Sequence, residues 1–295
     1  TIHLSDSLPR RISTWRYFRV TDSIPASLRI VRRANRTLGR VVPALAARLN
    51  QRLFSTPRRH APRDWELDFE RTAARRRLAG GVSVLEAGEG PTVALIHGWE
   101  GRATQFAVFA PRLLEAGYRI IAIDGPAHGH STGKRADPYR FADALRMVAD
   151  QFGPLHGAVG HSMGGGSIAI ALAAGLDVRR AVTIASPASL RDVLDRYVAV
   201  MQLPPRATSH FMQNFHHHVV RRGHRPVDVL ELLQTVHTDA LVIHARDDRE
   251  VPFSDGERIA AHWPRAALMP VDGLGHRRIL RDAAVVDATV DFLRG

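Results

Sequence analysis

The 295-residue chain has no cysteine. Disulfides, thiolate-ligated metals and a cysteine nucleophile are therefore excluded. Lys134 is the only lysine among 41 basic residues, so the chain's cations are almost all guanidinium. No uninterrupted apolar run approaches the roughly 20 residues that span a bilayer. The opening "TIHLSDSLPRRISTWRYFRV" has neither the apolar stretch nor the small-residue cleavage site of a secretory signal. The expected compartment is the cytoplasm.

Hydrophobic residues make up 45% of the chain, enough to bury a sizeable core. The formal charge of +12 resembles a nucleic-acid signature until it is mapped. Residues 1–63 hold fourteen arginines against Asp6 and Asp22, which accounts for all of it; the remaining 27 basic and 27 acidic residues cancel. The excess belongs to an arm, not to a face of the main domain. No nucleic-acid partner is expected. From Leu28 that arm repeats Val31, Leu38, Val41, Leu45, Leu49 and Leu53 with arginines between them, a helical spacing interrupted near Pro43. Its apolar stripe would dock on the protein's own cap or lie on an anionic membrane surface.

"STPRRHAPRD" reads as a linker to a second region, 64–295. "WELDFERT" and "VSVLEAGEG" alternate like two antiparallel strands. After Gly90 the pattern becomes βα. "TVALIHG", "YRIIAIDG", "HGAVGHS", "RAVTIASP", "DALVIHARDD" and "AALMPVDG" are strands, with helices expected near 104–116, 138–151, from 164, near 254–262 and from 279. Such alternation predicts an α/β fold with a mostly parallel sheet covered on both faces. Residues 188–236 break the rhythm and predict a helical cap insertion.

"VGHSMGGG", residues 159–166, supports two readings. Gly160, Gly164 and Gly166 match the phosphate turn of a short-chain dehydrogenase, and Gly160, Ser162 and Gly164 match a serine held on a tight strand-to-helix turn. A dinucleotide turn should follow the first strand of its sheet, and here several strands precede it. No tyrosine has the lysine four residues on that such an enzyme needs, and "VTIASP" ends without the ribose-binding acid. The nucleophile reading survives. A serine hydroxyl attacks only when a base takes its proton and a third group holds that base. Asp247 or Asp248 at the end of "ALVIHARDD", and His276 in "DGLGHRR", follow Ser162 at strand ends.

These residues and their order resemble the α/β-hydrolase fold family, and more narrowly its bacterial single-domain esterase-like members, over roughly residues 66–295. The resemblance implies a triad of Ser162, Asp248 and His276. Asp248 is preferred because the family pattern G-x-x-D-x-x-V-P aligns with Ala245, Asp248, Val251 and Pro252. It also implies an oxyanion hole from the backbone N–H groups of Trp99, in "IHGWEG", and Met163. "DGPAHGHS", Asp124–Ser131, resembles the family's D-x-x-G-x-G-x-S loop, with His128 read as a departure at the first glycine. Ser162 rather than aspartate at the turn argues against a dehalogenase or epoxide hydrolase.

The implied activity is hydrolysis of a carboxylic ester, thioester or lactone through an acyl-enzyme. A C–C bond hydrolase or an acyltransferase would use the same triad, and a non-catalytic ligand-binding protein would use the same fold. No cofactor or metal is called for. Met201, Phe211 and Phe215 in the cap would line an apolar acyl pocket, or simply pack the cap against the sheet. His97 is read as a brace for the oxyanion loop and His161 as packing beside the nucleophile. His216, His217 and His218 are consecutive, so their side chains diverge and cannot all chelate one ion.

Overall fold

A computed structural model describes residues 26–224 and 228–295; the first 25 residues of the expected arm, and 225–227 of the expected cap, lie outside the described residues. Among the described residues eight strands form one sheet in the order β1-β2-β4-β3-β5-β6-β7-β8. β1 (Ala74–Arg77) and β2 (Ser83–Ala87) are antiparallel additions at one edge. β3 (Thr92–Ile96), β4 (Arg119–Asp124), β5 (Leu155–His161), β6 (Val178–Ile184), β7 (Asp239–Ala245) and β8 (Ala266–Val271) run parallel. Buried on both faces, the central strands are nearly continuous runs of Val, Ile, Leu and Ala.

Successive strand residues serve opposite faces. Val93 and Leu95 join a core with Phe69, Leu113 and Val286, while Ala94 and Ile96 join one with Phe141, Leu145 and Ile168. The first face is covered by α3 (Asp64–Thr72), α4 (Phe109–Glu115) and α12 (Ala283–Arg294), the second by α5 (Pro138–Phe152), α6 (Met163–Ala173) and α10 (Phe253–His262). Local chemistry starts two of these helices. Asp137 accepts the Arg140 amide at 2.9 Å with Pro138 in the first turn of α5, and Asp282 accepts the Val285 amide at 3.1 Å before α12.

"WELDFERT" is helical, not extended. Trp65, Leu67 and Phe69 alternate, but the buried residues are Glu66 and Phe69, three apart, and Glu66 accepts the Thr104 hydroxyl at 2.8 Å. That distant partner fixes the face the helix turns inward. The helix expected from 279 begins at Ala283, after α11 (Gly275–Arg278) and a 3-10 turn at Ile279–Arg281.

α1 (Ala26–Val41) and α2 (Pro43–Ser55) form a helical pair broken at Pro43. Between β6 and β7 lie α7 (Leu190–Met201), α8 (Pro205–Arg221) and α9 (Val229–Leu233). The pair packs on this insertion. Ala46 and Ala47 of α2 are fully buried, in one core cluster with Ala207 and Phe211 of α8. Asn35 and Asn50 bond to each other at 2.7 Å, and Asn35 donates to the Met201 carbonyl at 2.8 Å. The Tyr197 hydroxyl donates to the Asn50 carbonyl at 3.0 Å. Among the described residues no helix is long and apolar enough to cross a membrane.

Candidate active site

β5 ends at His161, and Ser162 turns the chain into α6 with φ 53° and ψ −122°. A side chain at positive φ is strained, and the surroundings must over-determine it. They do so by close approach. A Cβ on Gly164 would lie 2.3 Å from the Ile96 carbonyl oxygen, and one on Gly98 would lie 2.8 Å from the Ser162 Cβ. Only glycine lets the ends of β3 and β5 meet this closely. The Ser162 amide donates to the Ile184 carbonyl at 2.8 Å, tying the turn to β6.

Ser162 Oγ lies 3.1 Å from Nε2 of His276, and Nδ1 of His276 lies 2.8 Å from Oδ2 of Asp248. The other Asp248 oxygen accepts the amides of Glu250 and Val251 at 2.8 and 2.9 Å. Burial pushes the Asp248 carboxyl up, but the His276 hydrogen bond and those two amides outweigh it and hold the group below its ordinary value. Asp247 is exposed and accepts the Gly275 amide at 3.2 Å, anchoring the loop that delivers His276. The two adjacent carboxylates thus leave the strand in different directions, and Asp248 is the one beside His276.

A protein-family model described as alpha/beta hydrolase fold matches residues 91–222. The chain has the α/β-hydrolase fold. An esterase from Exiguobacterium antarcticum superposes with a TM-score of 0.59 at 17% identity, covering 76% of this chain and all of that one. A non-heme haloperoxidase of Mycobacterium phage D29 is 34% identical over 91 residues, 30% of this chain. A serine hydrolase-like protein of Danio rerio is 36% identical over 81 residues, 26% of this chain. These two alignments span 32% and 24% of the relatives' own lengths.

Within this α/β-hydrolase fold, Trp99 and Met163 flank Ser162: Trp99 follows Gly98, and Met163 opens α6, where the first amides of a helix lack intrahelical acceptors. His97 spans the base of the turn after β3, its Nδ1 2.6 Å from the Gly98 carbonyl and its Nε2 accepting the Gly125 amide at 2.9 Å. Burial first, then the neighbouring His128, pushes its pKa well down. His161 directs Nε2 to the His276 carbonyl at 2.8 Å. Burial, then the nearby His276, lowers it to about 3, so it stays neutral and steadies the loop carrying His276.

Ser162 opens into a cleft of about 460 Å³, shared with Trp99, Arg63, Arg102, Arg277 and Arg281. Met201, Phe211 and Phe215 do not line it. Phe211 and Phe215 are buried against Phe54 of α2, with ring centroids 6.0 and 6.2 Å away, and Met201 packs against the same core. The apolar lining expected from the cap is thus occupied by the arm, leaving a polar, arginine-rich cleft. His218 turns to Asp137 at 3.1 Å while His216 and His217 are exposed.

Three participants escape a sequence reading. Glu100, at φ 57°, directly follows Trp99. Its amide donates to Nε2 of His128 at 3.0 Å, and its carboxylate takes a two-pronged ion pair from Arg58 at 2.9 and 3.1 Å. Burial raises the Glu100 carboxyl, but Arg58 and His60 together hold it below its ordinary value. Arg58, Glu100 and His128 come from three separate segments, so no spacing announces them. The loop at Asp124–Ser131 also needs a correction. Ala127 takes the left-handed position, φ 68°, that favours glycine, so Ala127 rather than His128 departs from the family's first glycine.

Proposed function

We propose that this chain is a serine hydrolase that cleaves a carboxylic ester, thioester or lactone through an acyl-enzyme. The observation that supports it is the continuous hydrogen-bonded series Asp248–His276–Ser162, with the imidazole 2.8 Å from the carboxylate and 3.1 Å from the hydroxyl. Ser162 Oγ attacks the substrate carbonyl carbon as its proton passes to Nε2 of His276. Asp248, anionic, holds Nδ1 and stabilises the imidazolium. The carbonyl oxygen becomes an oxyanion between the amides of Trp99 and Met163. Collapse of this intermediate breaks the bond to the leaving alcohol or thiol, which takes the proton from His276. Water then gives a proton to His276, attacks the acyl carbon and releases the acid, and the proton returns to Ser162. None of these steps calls on a metal or cofactor.

The test is covalent labelling with a fluorophosphonate, with the adduct mapped by peptide mass, alongside hydrolysis of p-nitrophenyl esters of graded chain length. Labelling of Ser162 and turnover of at least one ester are expected. An unlabelled Ser162, or labelling at another residue, overturns the reading.

A further inference from the structure

Six of the nine large hydrophobic residues that stand exposed among the described residues belong to α1, α2 and their junction: Ile30, Val41, Val42, Leu45, Leu49 and Leu53. On α2 they are ordered. Leu45, Leu49 and Leu53 recur every four residues after Val42, which places them on one helical stripe. They are 42–51% exposed, whereas Ala46, Ala47 and Asn50 on the adjoining inward face are buried against the insertion. The helix therefore has two working faces. One is fixed to the protein, and the other presents leucines to solvent.

The charge around that outward face has one sign. No Asp or Glu occurs between Asp22 and Asp64. Arg29, Arg33, Arg40, Arg48 and Arg52 are exposed, and none takes part in an ion pair among the described residues. An acidic protein partner would satisfy the arginines, but three solvent-facing leucines on a single stripe favour an acyl-chain boundary. Apolar residues on a stripe flanked by unpaired arginines are the composition of a helix lying in the interface of an anionic bilayer.

We infer that the outward stripe of α2, Leu45-Leu49-Leu53, with Val42 at its N-cap and Arg48 and Arg52 beside it, docks this protein on anionic membrane surfaces. The leucines enter the headgroup–acyl boundary and the arginines meet lipid phosphates. α2 lies flat while its inner face keeps its hold on α8. Phe54, at the end of α2, is the ring beside Trp99, so docking brings the mouth of the Ser162 cleft close to the lipid surface. The stripe and its charge are properties of the arm and do not depend on the proposed hydrolase chemistry.

The full chain is mixed with vesicles of phosphatidylcholine alone and with vesicles containing 30% phosphatidylglycerol, and the bound fraction is read by flotation. Binding to the anionic vesicles at least tenfold above the neutral ones is expected, weakening as salt is raised. Leu45→Gln/Leu49→Gln changes only exposed side chains and should cut that binding at least tenfold; Arg48→Gln/Arg52→Gln should reduce it and flatten the salt dependence. Circular dichroism of each variant checks the fold. The inference is overturned by no preference for anionic vesicles. It is equally overturned if the leucine variant binds as well as the parent, since charge alone would then account for the attraction. A concentration-dependent dimer abolished by Leu45→Gln/Leu49→Gln, without vesicle binding, assigns the stripe to a second copy instead.

Discussion

Phe54 of α2 stacks on Trp99 of the turn after β3, with ring centroids 6.4 Å apart and planes 18° from parallel. Arg58, four residues further along, grips Glu100, the residue after Trp99. A segment outside the region matched by the family model thus holds both side chains next to the amide proposed to receive the oxyanion. Replacing Glu100 with alanine should lower kcat by about ten- to a hundredfold with a smaller change in KM, the signature of a misplaced donor. Steady-state kinetics on a p-nitrophenyl ester provide the check, with Glu100→Gln retaining more activity than Glu100→Ala. Equal, small losses in both variants would count against a positioning role.

Ser162→Ala should abolish ester hydrolysis, a loss on the order of a thousandfold or more, with little change in thermal stability. The substitution removes one hydroxyl and leaves the backbone of the turn as it is. Kinetics and a melting curve on the same preparation separate the two effects.

Asp248→Asn should cost about a thousand- to ten-thousandfold in kcat, because an amide in place of the carboxylate favours the wrong imidazole tautomer and leaves the imidazolium unpaired. Asp247→Asn should cost far less, since Asp247 reaches the Gly275 amide and not the ring. Measuring the two variants side by side decides the matter; a crippled Asp247→Asn with a near-normal Asp248→Asn reverses the assignment.

The contrast between these aspartates shows what a sequence carries. The strands were legible from Val/Ile-rich runs, and the turn at Ser162 from glycines whose only function is close approach. The order of Ser162, Asp248 and His276 could be read because each sits at the end of a recognisable strand. α3 departs from the strand its sequence predicts because alternation of Trp65, Leu67 and Phe69 is a local signal, while the contact that orients the helix is the distant Glu66–Thr104 pair. Of the two readings open for Met201, Phe211 and Phe215, acyl lining or packing of the cap, the structure shows packing, and the sequence leaves that choice open for a similar reason. Phe211 and Phe215 have helical spacing, but nothing near them in sequence says that Phe54 fills the space they face.

Acid should destabilise the fold through four histidines held neutral by burial, His97, His128, His161 and His244. Burial, the dominant cause, lowers His128 to about 4 and His161 to about 3, and His97 well below its ordinary 6.5. Below pH 6.5 the unfolded chain takes up protons that the folded chain refuses. Stability is therefore full above that pH and falls as pH drops toward the folded values, by about 3 kcal/mol for His128 alone. Urea titrations between pH 7 and pH 4 should show the decline. His128→Asn should be less stable at pH 7 and lose less stability on acidification; an unchanged slope would remove His128 from the account.

The sheet order gives the two halves of the proposed chemistry unequal mechanical security. Ser162 leaves β5, which has strands on both sides, whereas His276 arrives from β8, an edge strand paired only with β7 and without a single buried residue. Fraying begins at edges, where half the ladder is missing and little apolar surface resists. Mild heat or denaturant will therefore peel β8 and draw the imidazole away from the hydroxyl while the central strands remain zipped. Loss of the proposed activity should therefore run ahead of melting, and it should return as soon as one strand re-pairs.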